Sequence, residues 1–379
     1  MNASVTKRSG QRCFKNEREE RMKSRGLVLA CAFAVTTAVG ANAQEPFYEG
    51  KRLDVLINYS AGGSTDIEGR LVAKHLAKHI PGHPEVIVRN MPGAGGLVAT
   101  NHLGEAAAPD GLTVSYFTAV YEYQLLEDPA LTIDLRDLEV IGGVEGVPIN
   151  YIRKDAAPGI ENPEDVVNAE PFLAAGLRPT ISKDLLIRMS LDLLDVPHRV
   201  ITGFKGNAPA RQAVQQNEVQ FYSETIPAYM SVVVPTMVEP GIVVPLYQHE
   251  VWRDGKPMGG EGVPDSIPTF YDLYKQMKGK EPSGQLWEAY DTINRLSTRM
   301  LRLIALPPGS PPEAVDDLRQ ALADLAKDEE FQRDAMKSLN FVPVFVLGEE
   351  AEAVMEEQLN ISDEMRQFLE NYVAEASAN

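Results

Sequence analysis

Two glycine-rich bends, centred about 30 residues apart, each join a short apolar run to a longer stretch of helical spacing. The first, Ala61-Gly62-Gly63-Ser64-Thr65-Asp66, follows Leu53-Asp54-Val55-Leu56-Ile57 and precedes a stretch from Ile67 to Ile80 with helical spacing at Ile67, Leu71 and Leu76. The second, Pro92-Gly93-Ala94-Gly95-Gly96, follows a strand predicted from Glu85 to Val88 and precedes a helical stretch from Leu97 to Ala107. A Pro109-Asp110-Gly111 turn and a third strand, Leu112 to Phe117, close the unit. Strand, bend and helix repeated in this way specify a parallel α/β layer, because consecutive parallel strands need a crossover connection.

At a strand-to-helix bend the first-turn N–H groups lack intrahelical partners, and the helix dipole presents its positive end. Glycine lets a ligand approach the backbone closely and adopts the positive φ that forms concave N–H nests. An anion suits such a bend, although either one alone reads equally as a tight turn with an N-cap. In an open α/β sheet both bends lie at the carboxyl edge of the strands, so the pair predicts one shared anion site. Ser64 and Thr65 add hydroxyl donors, and Asp66 is expected to cap the helix. A dinucleotide reading of Gly93-Ala94-Gly95-Gly96-Leu97-Val98 fails, because Val98 stands where G-x-G-x-x-G needs its third glycine.

The alternation resumes at Val147 to Ile152, Pro171 to Ala175, Ser182 to Leu194, Arg199 to Thr202 and Asn207 to Gln216. It returns at Gly241 to Tyr247, in a strand from Leu301 to Leu306 and in a helix from Glu313 to Leu325. Ahead of the first bend, Lys23 and Arg25, the apolar run Gly26 to Gly40 and Ala41-Asn42-Ala43 read as a cleavable leader spanning residues 1–43, with Met22 the expected start. Export to the periplasm follows. Both cysteines, Cys13 and Cys31, lie in that leader, so disulfides, thiol catalysis and thiolate metal sites are excluded from the mature chain. The leader carries a net +5, and its removal takes the formal charge from −18 to −23. Such a surface repels nucleic acid and anionic lipid. The remaining chain is long enough for two lobes, since single cores stop growing near about 250 to 300 residues.

Other constellations carry weaker signals. His75, His79 and His83 recur every four residues, a spacing suited to zinc or copper on a continuous helix. Pro81 breaks that helix, so the row is expected on a polar outer face beside Lys74 and Lys78. Tyr116, Tyr121 and Tyr123 are expected to pack in the core or rim, with stacking on an aromatic ligand as the alternative. Glu224, between Ser223 and Thr225, reads equally as a partner for a ligand amine or as a surface-loop residue. Arg178 reads either as a bidentate clamp for a carboxylate or as a solvated loop cation. No G-x-S-x-G elbow, H-E-x-x-H or lysine-bearing phosphate loop occurs, so no enzyme, cofactor or metal is predicted.

The segment Asn58-Tyr59-Ser60-Ala61-Gly62-Gly63-Ser64-Thr65-Asp66 resembles a PFxPGGxxD loop, keeping both glycines and the aspartate. Asn90-Met91-Pro92-Gly93-Ala94-Gly95-Gly96 and Ala108-Pro109-Asp110-Gly111-Leu112-Thr113 are similar to NRPGAGG and APDGYTL. Gly203 to Ala210 and Leu306 to Pro311 resemble a glycine-rich loop before a helix and an APAGTP turn. These are signatures of the tripartite tricarboxylate transporter substrate-binding proteins, the Bug or TctC-like receptors. The resemblance runs from Phe47 to the C-terminal helices and thins in the middle.

The resemblance implies an α/β periplasmic-binding-protein (Venus flytrap) fold, with two lobes and a ligand cleft at a two-strand hinge. The lobes would comprise residues 44–145 with 290–379, and residues 146–289. It further implies a periplasmic solute-binding protein, expected as a monomer. This protein would capture a small carboxylate (a di- or tricarboxylate, an amino acid or an aromatic acid) for the membrane components of a tripartite tricarboxylate transporter. Carried over by position, the ligand-binding residues would be Tyr59, Ser60, Ala61, Gly62, Gly63, Ser64, Thr65 and Asp66 from the first bend. The second bend would add Gly93, Ala94, Gly95 and Gly96. The opposite lobe would add Gly176, Arg178, Thr180, Ser182, Gly206, Asn207, Ala208 and Glu224. The polar rim Asn58 to Ala61 and the Gly176 to Asp184 loop depart from the family pattern, which leaves the carboxylate unnamed. A ligand-presenting sensor and an exported enzyme acting on a carboxylate are the alternatives.

Overall fold

The computed structural model describes residues 45–378; the predicted leader, with Met22 and both cysteines, lies outside the described residues. The chain opens with β1 (Arg52–Ile57), α1 (Ser64–Leu76), β2 (Glu85–Asn90), α2 (Leu97–Asn101), β3 (Thr113–Ser115), β4 (Phe117–Thr118), α3 (Tyr121–Leu125) and β5 (Glu139–Val144). β1 is the middle strand of a parallel sheet in the order β2-β1-β3, as the spacing predicts. Its Leu53, Val55 and Ile57 are buried against Val72, Ala73 and Leu76 of α1 in one apolar cluster. The helix expected from Leu97 to Ala107 is interrupted: a 3-10 turn at residues 94–96 precedes α2, and a π-type turn at 102–106 follows it.

The middle of the chain forms β6 (Pro148–Arg153), β7 (Phe172–Ala175), α4 (Ser182–Leu193), β8 (His198–Ile201), α5 (Asn207–Gln215), β9 (Phe221–Thr225), α6 (Ile226–Ala228) and β10 (Val243–Gln248). Its five strands make a mixed sheet in the order β10-β6-β9-β7-β8, with β7 parallel to β8 and β9 and β6 antiparallel to both its neighbours. The hairpin β11 (Val251–Arg253) and β12 (Lys256–Met258), α7 (Phe270–Lys278) and α8 (Gln285–Thr298) follow. The last part comprises β13 (Arg302–Leu306), α9 (Pro312–Leu325), α10 (Glu329–Leu339), β14 (Phe345–Leu347), α11 (Gly348–Gln358) and α12 (Asp363–Ala378).

β13 returns to the first part of the chain, joining an antiparallel sheet ordered β14-β5-β13-β4. The chain thus leaves its opening sheets between β5 and β6, builds the five-stranded sheet, and comes back at β13. Two groups of sheets result, with α8 packed on α4 of the middle part and on α3 of the opening part. Residue 290, an expected lobe limit, falls inside α8. Among the described residues no helix is long and apolar enough to cross a membrane.

Candidate functional site

The first bend begins α1 with Gly63 as N-cap, and no side chain caps it from that position. Asp66, expected as the cap, works instead from the third helical position: its Oδ2 accepts the Gly62 N–H at 2.9 Å. Its Oδ1 is held by Arg70 Nε at 2.8 Å and Asn90 Nδ2 at 2.9 Å. The carboxylate is therefore spent on fixing the bend, which leaves Ser64 and Thr65 to present the first turn. Thr65 Oγ1 shares a hydrogen with Thr118 Oγ1 at 2.7 Å, whereas Ser64 Oγ is buried with no partner among the described residues.

Opposite this bend stand the first turns of α4 and α5. Asp184 Oδ2 accepts the N–H groups of Leu177 (2.6 Å) and Arg178 (2.9 Å), which folds the 176–181 loop back over the helix start. That is possible only beside a glycine, since a Cβ at Gly176 would fall 2.5 Å from Asp184 Oδ2. Lys183, at the second position of α4, donates to Asn207 Oδ1 at 2.9 Å and to the Tyr222 hydroxyl at 2.5 Å. Its ammonium sits 4.2 Å from the centre of the Tyr222 ring, and no carboxylate among the described residues pairs with it. Burial pulls Lys183 down to about 8.

A cleft of about 870 Å³, including its mouth, lies between these elements. Ser60, Gly63, Ser64 and Thr65 form one wall, and Ser182, Lys183, Gly206, Asn207 and Ala208 form the other. The N-termini of α1, α4 and α5 therefore converge on one space, each with N–H groups that no helical carbonyl can reach. Thr118, Tyr121, Glu122, Thr225, Ser297 and Arg302 complete the lining. The Tyr121 hydroxyl, like Ser64 Oγ, is buried with no partner among the described residues. Glu122 Oε2 accepts from Ser182 Oγ at 2.8 Å, and burial raises this carboxyl to about 7. Arg302 is buried and compensated: Nε donates to Glu68 at 2.7 Å and Nη1 to Thr118 Oγ1 at 3.0 Å.

The structure gathers Tyr59, Ser60, Ala61, Gly63, Ser64, Thr65, Ser182, Gly206, Asn207 and Ala208 on the cleft and places the other sequence candidates off its lining. Gly62 and Asp66 stand behind the first bend, joined to each other. The second bend, Gly93, Ala94, Gly95 and Gly96, lies behind Tyr59, whose hydroxyl donates to the Gly95 carbonyl at 2.8 Å. Gly95 has φ of 65°, and a Cβ there would fall 2.2 Å from the Tyr123 hydroxyl, so this glycine serves close packing. Gly176 backs onto Asp184, and Thr180 Oγ1 is buried without a partner among the described residues.

Arg178 lies off the cleft lining and is ion-paired: it donates to Asp128 Oδ2 at 2.6 Å and lies 4.9 Å from the Tyr123 ring centre. Glu224 is in β9 and fully buried, not in a surface loop, and both its oxygens accept from Arg211 Nη1 at 2.6 and 2.7 Å. Of the tyrosines, Tyr116 and Tyr123 are buried in the core and Tyr121 lines the cleft. The histidine row is not an outer face: His75 and His79 turn to α10 and meet Asp334 at 3.0 Å and Asp328 at 2.9 Å. The reason is that α1 buries two sides, one on β1 and one on α10.

Sequence reasoning passed over Lys183, Glu122, Thr118 and Arg302. Lys183 carried a signal, since a lysine in the first turn of a helix opposes the dipole and needs a separate reason to be there. Arg302, opening an otherwise apolar strand, carried another.

Two lobes of α/β structure facing each other across a cleft define the periplasmic-binding-protein fold, and solved structures agree. The periplasmic binding protein BugD matches with a TM-score of 0.61 at 21% identity, over 87% of this chain and 99% of that one. MatC from Rhodopseudomonas palustris, with bound malate, matches at 0.57 and 20%, over 85% and 99%. An R. palustris protein with adipate matches at 0.62 and 17%, over 86% and 97%. No family model matches the chain. By sequence the chain is 29% identical over 211 residues to a UPF0065 protein of the gbd 5′ region of Cupriavidus necator, covering 53% of this chain and 61% of the relative. It is 32% identical over 91 residues to BugT of Bordetella pertussis, covering 24% and 27%. The aligned parts thus span less than two thirds of these relatives. The chain therefore shares its fold with periplasmic binding proteins, and parts of its sequence are similar to UPF0065 and Bug proteins.

Proposed function

We propose that this chain is an exported solute-binding protein that holds a small dicarboxylate in the cleft and delivers it to the membrane components of a tripartite tricarboxylate-type transporter. One observation carries the reading: three helix N-termini meet around a lysine that has no carboxylate partner among the described residues. Fixed N–H dipoles and a single buried ammonium stabilise an anion at contact distance, where the negative net charge of the whole chain is screened. The unpartnered hydroxyls of Ser64 and Tyr121 supply two further donors. Malate and adipate in two proteins of the same fold support the dicarboxylate class.

The contact residues we propose are Ser60, Gly63, Ser64, Thr65, Tyr121, Glu122, Ser182, Lys183, Asn207 and Ala208. The second bend acts through Tyr59, which it props against the cleft. The lobes are residues 45–145 with the chain from β13 onward, and residues 146–284, with α8 lying between them. The perturbed pair Glu122 and Lys183 also fits a second reading, an exported enzyme using one as acid and the other as base. Recovery of the bound carboxylate unchanged after incubation decides between the two.

A thermal-shift and calorimetric screen of the mature protein against malate, adipate, citrate, amino acids and aromatic acids tests the proposal. A dicarboxylate at 100 times its dissociation constant should stabilise the fold by about 2.7 kcal/mol. Lys183→Ala should weaken that ligand by about tenfold or more, the value of a charge-assisted hydrogen bond. No response to any carboxylate, or a ligand indifferent to Lys183→Ala, would overturn it.

A further inference from the structure

A second cavity adjoins α8, and Leu296 forms part of both its wall and that of the ligand cleft. It encloses about 970 Å³, including its mouth, between α8, β11 and the connection from α11 to α12. Arg295 and Arg299 stand one helical turn apart on its rim, and Trp252, Gln358 and Met365 line it with them. The Arg295 guanidinium lies 4.4 Å from the centre of the Trp252 ring, covering one face of it. Each arginine gives a single N–H to a carboxylate: Arg295 Nε to Asp291 at 2.8 Å, and Arg299 Nη1 to Glu357 at 3.0 Å. The other guanidinium donors have no protein acceptor among the described residues.

Two buried polar atoms of the lining residues are also unmatched among the described residues, the indole N–H of Trp252 and Oε1 of Gln358. Gln358 Nε2 already donates to the Arg295 carbonyl at 3.2 Å, which fixes the amide with its oxygen left over. Buried polar atoms are matched in the great majority of cases, and here a donor and an acceptor are left unmatched around one cavity. The unmet chemistry is specific. It calls for an anion at the guanidinium rim, an apolar plate against Leu296, Met365 and the indole, and a hydrogen-bond donor for Gln358.

We propose that this cavity is a second binding site, for a small ring-bearing carboxylate with a polar ring substituent. The carboxylate takes the free donors of Arg295 and Arg299, the ring lies on Leu296 and Met365, and a ring hydroxyl donates to Gln358 Oε1. The site is separate from the dicarboxylate cleft and stands whether or not that cleft reading holds.

Titration with 4-hydroxybenzoate, which carries all three groups, tests it. Calorimetry gives the affinity, and tryptophan emission locates the site, because the chain has 2 tryptophans and Trp252→Phe removes the local one. Saturable binding should be weakened about tenfold by Arg299→Gln and by Gln358→Leu, with melting curves confirming folded variants. Lys183→Ala should leave it unchanged. Benzoate, without the hydroxyl, should bind more weakly and be indifferent to Gln358→Leu. Absence of binding at millimolar 4-hydroxybenzoate would overturn the proposal, and so would binding lost with Lys183→Ala but kept in Arg299→Gln and Gln358→Leu.

Discussion

Lys183 stands where the α4 dipole disfavours a cation, and burial adds to that cost, holding its ammonium at about 8. Glu122, at the opposite wall, is raised by burial to about 7. The two shifts act on an anionic ligand in the same sense. Below pH 7 Glu122 is neutral and Lys183 charged; above pH 8 Glu122 is charged and Lys183 neutral. Affinity for a dicarboxylate should therefore fall as pH rises from 6 to 9, by roughly ten- to a hundredfold. Calorimetry across that range checks the sign. Glu122→Gln should flatten the lower half of the profile and Lys183→Ala the upper half, and an affinity that climbed with pH would show that neither group faces the anion.

Gly95 shows how an element can keep a motif while moving its role. Its positive φ and the Tyr123 hydroxyl, 2.2 Å from where a Cβ would sit, make Gly95→Ala a packing fault and not a lost ligand contact. The substitution should destabilise by about 1–3 kcal/mol in denaturant titration. Tyr123→Phe in the same chain should return part of that loss; no recovery would place the strain in the backbone alone. β1, β2, α1 and the first bend were legible because apolar period and glycine content fix them locally. The partner wall was not, for the first turns of α4 and α5 reach the cleft through a sheet whose order β10-β6-β9-β7-β8 no local pattern encodes. Nor was the fate of Arg178, whose partner Asp128 is 50 residues away and whose alternatives a sequence weighs equally.

At the scale of the whole molecule, buried carboxyls set how stability depends on pH. Burial raises Asp184 to about 6, Glu122 to about 7 and Glu250 to about 8, all above their values in an unfolded chain. Between about pH 4.5 and 8 the folded state then binds more protons than the unfolded state, so stability falls as pH rises through that window. His249, pulled down to about 3, works the other way below its ordinary value near 6.5. Three raised carboxyls outweigh one lowered histidine, so the melting temperature of the unliganded protein should fall by about 5 °C or more as pH rises from about 4.5 to 8. A flat profile would mean that these carboxyls are solvated. The lobes themselves are tied across the cleft by Arg178 to Asp128 and by Ser182 to Glu122, each pair drawing one residue from either side. A partly buried ion pair contributes about 1 kcal/mol, enough to shift a two-state equilibrium roughly fivefold. Asp128→Ala should therefore raise the open fraction. X-ray scattering of the unliganded variant should show a larger radius of gyration, and ligand affinity should fall by about fivefold, because binding must now supply the closure that the pair supplied. Saturating ligand should bring the radius back to that of the wild type, since the cleft itself is untouched. Equal radii with and without the pair would remove the latch from the account and leave closure to the ligand alone.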